Sequence, residues 1–282
     1  MVGSDPCHVL DQARFPTLTP TETLEKVTQF FAPFCRAGQV REIGIGSFGP
    51  CDLRRASPTY GFITSTPKPG WQNTDVVGAI HSALLVDVIL DTDVNAAALG
   101  EHTWGATVGT NTSLYLTIGT GIGGGIIVDG RPLHGLQHPE MGHIRIPHDL
   151  SRDPFLGSCP FHADCFEGLA SGPAIQQRFG RRGEELADND PFWELEADYI
   201  AVAVSTYILV SSPERIVLGG GIMQRELLLP RIRQQVIRLL GGYIRHAALT
   251  DSIDNYIVAP GLGPQSGVFG AIALAATYSH QA

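Results

Sequence analysis

Residues 113 to 130 read Ser113-Leu-Tyr-Leu-Thr-Ile118, then Gly119-Thr-Gly-Ile-Gly-Gly-Gly125, then Ile126-Ile-Val-Asp-Gly130. β-Branched and aromatic residues fill the first block and β-branched residues return in the third, so the pattern predicts a hairpin with a glycine-rich turn. Glycine allows close backbone approach, so this turn is suited either to wrapping a phosphate with N–H groups or to a plain tight hairpin. It lacks the Gly-Lys-Ser/Thr of a Walker loop. It is also followed by a strand and not a helix, which departs from the dinucleotide fingerprint.

Working outward, a helix is expected over 21–35, opened by Thr21 and Thr23, and a short buried strand over 42–45 that runs into Gly46-Ser-Phe-Gly-Pro50. A helix over 76–84, a strand over 86–90 and a helix over 95–104 follow. Beyond the hairpin come a helix over 198–210, a strand over 215–218 ending in Gly219-Gly-Gly221, a helix over 224–240, a strand over 256–258 and a closing helix over 266–278. Strands alternate with helices, which predicts an α/β fold with ligand loops at strand ends. Gly219, Gly220 and Gly221, lying between a strand and a helix, form the better anion cradle by geometry.

The composition excludes several classes. With 282 residues, 43% hydrophobic and 17% charged, the chain can bury a large core in one or two lobes. A formal charge of −9 without a basic run argues against nucleic acid as partner. No apolar run approaches the roughly 20 residues of a membrane-spanning helix, and Met1-Val-Gly-Ser-Asp-Pro-Cys7 lacks signal-peptide character, so a cytoplasmic location is expected. Five cysteines in a long chain argue against a disulfide framework.

Cys159-Pro-Phe-His162-Ala-Asp-Cys165 suggests a metal instead. Two thiolates and an imidazole at spacings of three can converge on one tetrahedral ion, zinc by ligand type. His143 has the chemistry of a fourth ligand, with His138, His148 and Cys7 as weaker alternatives. Closed ligation of this kind makes the metal structural. In His138-Pro-Glu-Met-Gly-His143, Pro139 and Gly142 argue against a helical zincin motif. A loop held by the metal would present Glu140, and the same clasp would hold Glu167. Farther upstream, Asp91 and Asp93 stand where an apolar strand meets the alanine-rich segment ending at Glu101. Carboxylates at such a junction serve as helix caps and as bases alike.

Taken together, Asp91-Thr-Asp-Val-Asn-Ala-Ala-Ala-Leu-Gly-Glu101, Thr117-Ile-Gly-Thr-Gly-Ile-Gly-Gly-Gly125, His138-Pro-Glu-Met-Gly-His143 and Cys159-x-x-His162-x-x-Cys165-x-Glu167 resemble the ROK family of sugar kinases, and within it the bacterial zinc-containing fructokinases. The likeness runs from about Phe15 to the last helix. It implies an actin-like, ribonuclease-H-like fold of two lobes, with residues 1–105 as the N-terminal lobe, 106–263 as the C-terminal lobe with the zinc loop, and 264–282 as a helix packing back toward the first lobe.

The resemblance also implies phosphorylation of a hexose, D-fructose first, by ATP with Mg²⁺. Asp93 would be the catalytic base. Gly49, Thr92, Asp93, Glu140, His143 and Glu167 would hold the sugar, and Thr120, Gly121, Pro173 and Gly219 to Gly221 the nucleotide. His143, Cys159, His162 and Cys165 would hold structural zinc, and a homodimer is the expected assembly. One departure stands out. Nothing in Met1 to Pro20 matches the family's Gly-Gly-Thr-Lys phosphate turn, so the sequence reading expects a missing first strand and turn, and phosphoryl transfer weaker than sugar binding.

Overall fold

The computed structural model describes residues 1–279. An antiparallel pair opens the chain, β1 (Val2–Asp5) and β2 (His8–Asp11), and joins no other sheet. The sequence reading has the chain begin in the family's second strand, around Cys7 to Asp11, where β2 lies; β1 is an additional strand, inconspicuous because Gly3, Ser4 and Asp5 are poor strand formers. α1 (Pro20–Arg36) starts earlier than Thr21 because Thr19 is its cap. The Thr19 hydroxyl accepts the Glu22 N–H while the Glu22 carboxylate accepts the Thr19 N–H, a reciprocal capping box.

β3 (Glu42–Ser47) follows, then the short antiparallel pair β4 (Phe62–Ile63) and β5 (Thr74–Asp75), then α2 (Val76–Leu84), whose cap Asp75 accepts the Gly78 N–H. β6 (Asp87–Thr92) pairs with β3 in parallel, Glu42 opposite Asp87 through Ser47 opposite Thr92. Ile43, Ile63, Trp71, Val76, Ile80 and Leu90 make the core of this part. α3 (Asp93–Trp104) leaves the end of β6 with no intervening loop.

The second sheet has five strands. β7 (Thr112–Ile118), β8 (Ile122–Val128) and β9 (Arg131–Pro132) form an antiparallel meander. After an irregular stretch come α4 (Phe166–Ala170), α5 (Gly172–Phe179) and α6 (Phe192–Ser211). β10 (Arg215–Gly219), α7 (Leu228–Leu240), the short α8 (Ala247–Thr250) and α9 (Ile253–Tyr256), and β11 (Ile257–Val258) complete the sheet, in the order β11-β10-β7-β8-β9 with β10 parallel to β7 and to β11. α10 (Ser266–Ser279) returns to pack on α3 and β3. A cluster of Ile89, Leu99, Tyr115, Ile127, Val217 and Leu274 joins the two sheets through α3 and α10. No helix among the described residues is long and apolar enough to cross a membrane.

Two expectations about glycine change. The hairpin turn is Gly119 to Gly121 alone, and Gly123 to Gly125 lie inside β8. There they let α3 come close: a side chain on Gly125 would fall 2.7 Å from the Val94 carbonyl oxygen. Gly219 to Gly221 do not run straight into a helix either. A 3₁₀ turn, Ile222–Gln224, follows them and α7 begins only at Leu228, so the helix-terminus argument for that cradle is lost.

Candidate active site and metal cluster

The junction of β6 and α3 gives its three polar residues different surroundings. Thr92 is the helix cap, its buried hydroxyl accepting the Asn95 N–H at 3.1 Å. Asp91, 1% exposed, accepts from the Thr92 N–H and from Asn95 Nδ2, each at 2.7 Å, and stands 3.0 Å from His134 Nε2. Asp93 is left over. Its carboxylate accepts the neighbouring Val94 N–H at 2.9 Å and borders a cavity of about 850 Å³. Asp93 is exposed to solvent, although the protein packed around its carboxylate still desolvates it. Burial raises its pKa above the ordinary carboxylate value, against the backbone N–H groups of Val94 and Asp93, which lower it.

The cavity brings all six of the expected sugar-binding residues together. Gly49 lines it from the loop after β3, Thr92 from the end of β6, Asp93 from the start of α3, Glu140 and His143 from the stretch between β9 and α4, and Glu167 from α4. The Thr92 hydroxyl caps α3 with one lone pair, which fixes its position at the cavity wall. Desolvation pushes Glu140 up to about 7, and the charges of Glu167 and Asp93 add to that. One oxygen of Glu167, Oε2, accepts the Ile122 N–H at 2.8 Å, which fastens this carboxylate to the hairpin turn.

The residues expected at the nucleotide gather at the same turn. Thr120 and Gly121 line the cavity directly. The Gly172 N–H donates to the Gly119 carbonyl at 2.7 Å, placing neighbouring Pro173 beside the turn. Gly220, at φ +95°, packs its α-carbon against the backbone of Ile118, and a side chain on Gly119 would fall 3.4 Å from the Gly221 nitrogen. A φ in that range is readily adopted only by glycine.

His143, Cys159, His162 and Cys165 form a cluster whose ligand atoms all lie within 4.8 Å of one another. Cys159 Sγ is 3.8 Å from His143 Nδ1 and 3.7 Å from His162 Nδ1, and Cys165 Sγ is 3.6 Å from His143 Nδ1. The three alternatives to His143 lie elsewhere. His138 is buried, its Nε2 accepting the Cys51 N–H at 3.1 Å; His148 faces the Asp153 carbonyl at 3.0 Å; Cys7 is exposed in the β1–β2 turn. His134 and His138 are additions to the site. The first holds Asp91 and the second holds the loop carrying Gly49, and the sequence offers only their nearness to Glu140 as a signal.

A sequence model of the ROK family matches residues 1–278. The chain belongs to the ROK family. It is 48% identical over 267 residues to a fructokinase of Zymomonas mobilis, covering 93% of this chain and 87% of that one. It is 42% identical over 259 residues to a fructokinase of Lactococcus lactis, covering 92% and 86%. Among solved structures, the ROK hexokinase of Thermus thermophilus superposes with a TM-score of 0.77 at 27% identity, covering 96% and 91% of the two chains. The Streptomyces griseus ROK glucokinase, solved with glucose and AMPPNP, gives 0.71 at 25%, covering 92% and 89%. This ROK chain therefore has the actin-like, two-lobed α/β fold of those kinases.

Proposed function

We propose that this ROK chain transfers the γ-phosphoryl group of ATP, taken as its Mg²⁺ complex, to D-fructose, giving fructose 6-phosphate. The observation that carries the proposal is the placement of Asp93: a carboxylate with no capping duty, in the same cavity as Glu140, His143, Glu167 and the Gly119–Gly121 turn. The fructokinase names of the relatives support the sugar.

In this reading Glu140, Glu167 and His143 Nε2 take sugar hydroxyls. Asp93 accepts a hydrogen bond from the 6-hydroxyl and then its proton, as the oxygen bonds to the γ-phosphorus and the bond to the β,γ-bridging oxygen breaks. Desolvation raises the basicity of Asp93, which favours proton acceptance at the moment of transfer, and the charges of Glu167 and Asp93 add to the desolvation that raises Glu140. Backbone N–H groups around Gly119–Gly121, with Pro173 and Gly219 to Gly221 beside them, hold the phosphates. In this reading residues 1–105 and 106–263 are the two lobes and 264–279 the returning helix, residues 280–282 of the expected segment lying outside the described ones.

Zinc is part of the proposal. Bonds of about 2.3 Å to sulfur and about 2.0–2.1 Å to nitrogen at the tetrahedral angle place S and N about 3.6 Å apart, which the three Sγ–Nδ1 distances fit. The ion would supply a rigid clasp for the loop that carries Glu140 and Glu167. One observation favours weaker transfer than sugar binding. Asp93 also borders a second cavity of about 800 Å³ along the unpaired edge of β3, where Gly44, Gly46 and Ser47 stand without a donor turn among the described residues.

Asp93→Asn tests the mechanism, because it keeps shape and removes the proton acceptor. Fructose-dependent ADP release should fall by about 100-fold or more, while metal content and calorimetric fructose affinity stay close to wild type. Turnover within tenfold of wild type would reduce Asp93 to a bystander.

A further inference from the structure

Two stretches of chain cross between the part built on β3 and β6 and the part built on β7 and β10. One runs from the end of α3 to β7 and the other from β11 to α10. Glu101, in the last turn of α3, stands between them and is fully buried. Its Oε2 accepts the Ala106 N–H at 2.7 Å and the Gly261 N–H at 2.8 Å. Its Oε1 accepts the Leu262 N–H at 3.0 Å and the Ser266 hydroxyl at 2.7 Å. The first donor belongs to one crossing, the next two to the other, and Ser266 begins α10. A buried carboxylate is costly unless its oxygens are satisfied, and here four neutral donors satisfy both.

The two crossings also touch. A side chain on Gly261 would fall 2.7 Å from the Ala106 nitrogen, and one on Gly105 would fall 2.2 Å from Glu101 Oε2. Beyond Ser266 the contacts continue to the proposed nucleotide side. The Tyr115 hydroxyl lies near Ser266, and a side chain on Gly219 would lie 2.6 Å from that hydroxyl.

We propose that Glu101 is the hinge pin of the cleft, a positioning residue that ties both crossings into one joint and so sets how the Asp93 side meets the Gly119 and Gly219 side around the substrates. The functional half of this claim rests on the kinase reading; the joint itself does not. In kinases of this architecture such a joint would act through closure, and residues at hinges change kcat and KM together.

Glu101→Gln puts an amide donor against backbone donors. Deuterium exchange without ligands should then rise about tenfold or more at residues 105–108 and 260–264 together, with β10 and α6 unchanged. The kcat and the KM for fructose and ATP should shift together by several-fold, while metal content stays at the wild-type level. Faster exchange at only one crossing or at neither, or wild-type kinetics at a temperature where the variant is folded, would overturn the proposal. Should the variant fail to fold, the native chain decides. Fructose with a non-hydrolysable ATP analogue should slow exchange at both crossings together, about threefold or more, and unchanged exchange would overturn the hinge. A chain inert as a kinase in which Glu101→Gln still frees both crossings would sink the kinase reading and leave the joint standing.

Discussion

Glu140 is the residue whose chemistry is most sensitive to pH. Burial, then the charges of Glu167 and Asp93, lift its pKa from the ordinary carboxylate range to about 7. Between those values the folded chain binds a proton that the unfolded chain has released, so Glu140 lowers stability as pH rises through that window. Glu140→Gln removes the repulsion. Its melting temperature should exceed that of wild type at pH 8, and the gap should close at pH 4. The same carboxylate must be ionised to accept two sugar hydroxyls, so the wild-type KM for fructose should rise as pH falls below about 7. Melting curves across pH 4–8 and KM profiles across pH 5–8 check the two, and a pH-independent KM would remove Glu140 from the sugar site. At this scale the sequence was informative for Asp93, Glu140 and Glu167 because their motifs sit at strand and loop ends. It was silent on His134 and on the acceptor role of His138, since a buried histidine's partner is set by tertiary packing: Asp91 is 43 residues from His134, and Cys51 is 87 from His138.

Among the elements, the irregular stretch between β9 and α4 packs Met141, Ile144, Ile146 and Phe155 on the core, and long loops inside a domain are usually functional. The proposed zinc clasp would add order next to Glu140. Cys165 is buried at the start of α4, where the Phe166 N–H bonds the Ile144 carbonyl at 3.0 Å, so a ligand and Glu167 share one short helix. Elemental analysis should find about one zinc per chain, and Cys159→Ser should lose it, melt lower and raise the fructose KM by about tenfold or more. Metal-free protein with wild-type kinetics would contradict the clasp. The long elements were readable from period and caps, as with β7, β8 and α10. α4 and α5 were not, because they are short and interrupted by Gly168, Gly172 and Pro173, leaving no helical period to find. Gly123 to Gly125 misled for a different reason: glycine needed for α3 to approach β8 looks in sequence like glycine needed for a turn.

At the scale of the whole molecule, the two sheets are joined through α3 and α10, and α3 carries Asp93 at one end and Glu101 at the other. Nine residues, Asp93 to Glu101, thus span from the proposed proton acceptor to the proposed joint. The chain's net charge of −9 and the carboxylates in the cavity disfavour a bare nucleotide anion, which is why ATP is expected only as its Mg²⁺ complex. The cavity's sugar side is well furnished and its phosphate side rests on glycine backbone, so preference among hexoses should be sharper than turnover is fast. The most direct measurement is coupled ADP release on this 282-residue chain with fructose, glucose and mannose, the product identified by conversion with phosphoglucose isomerase. The expected result is one ADP per fructose 6-phosphate, with fructose giving the highest kcat/KM of the three. No hexose-dependent ADP release above ATP hydrolysis in water, from folded and metal-loaded protein, would contradict the account.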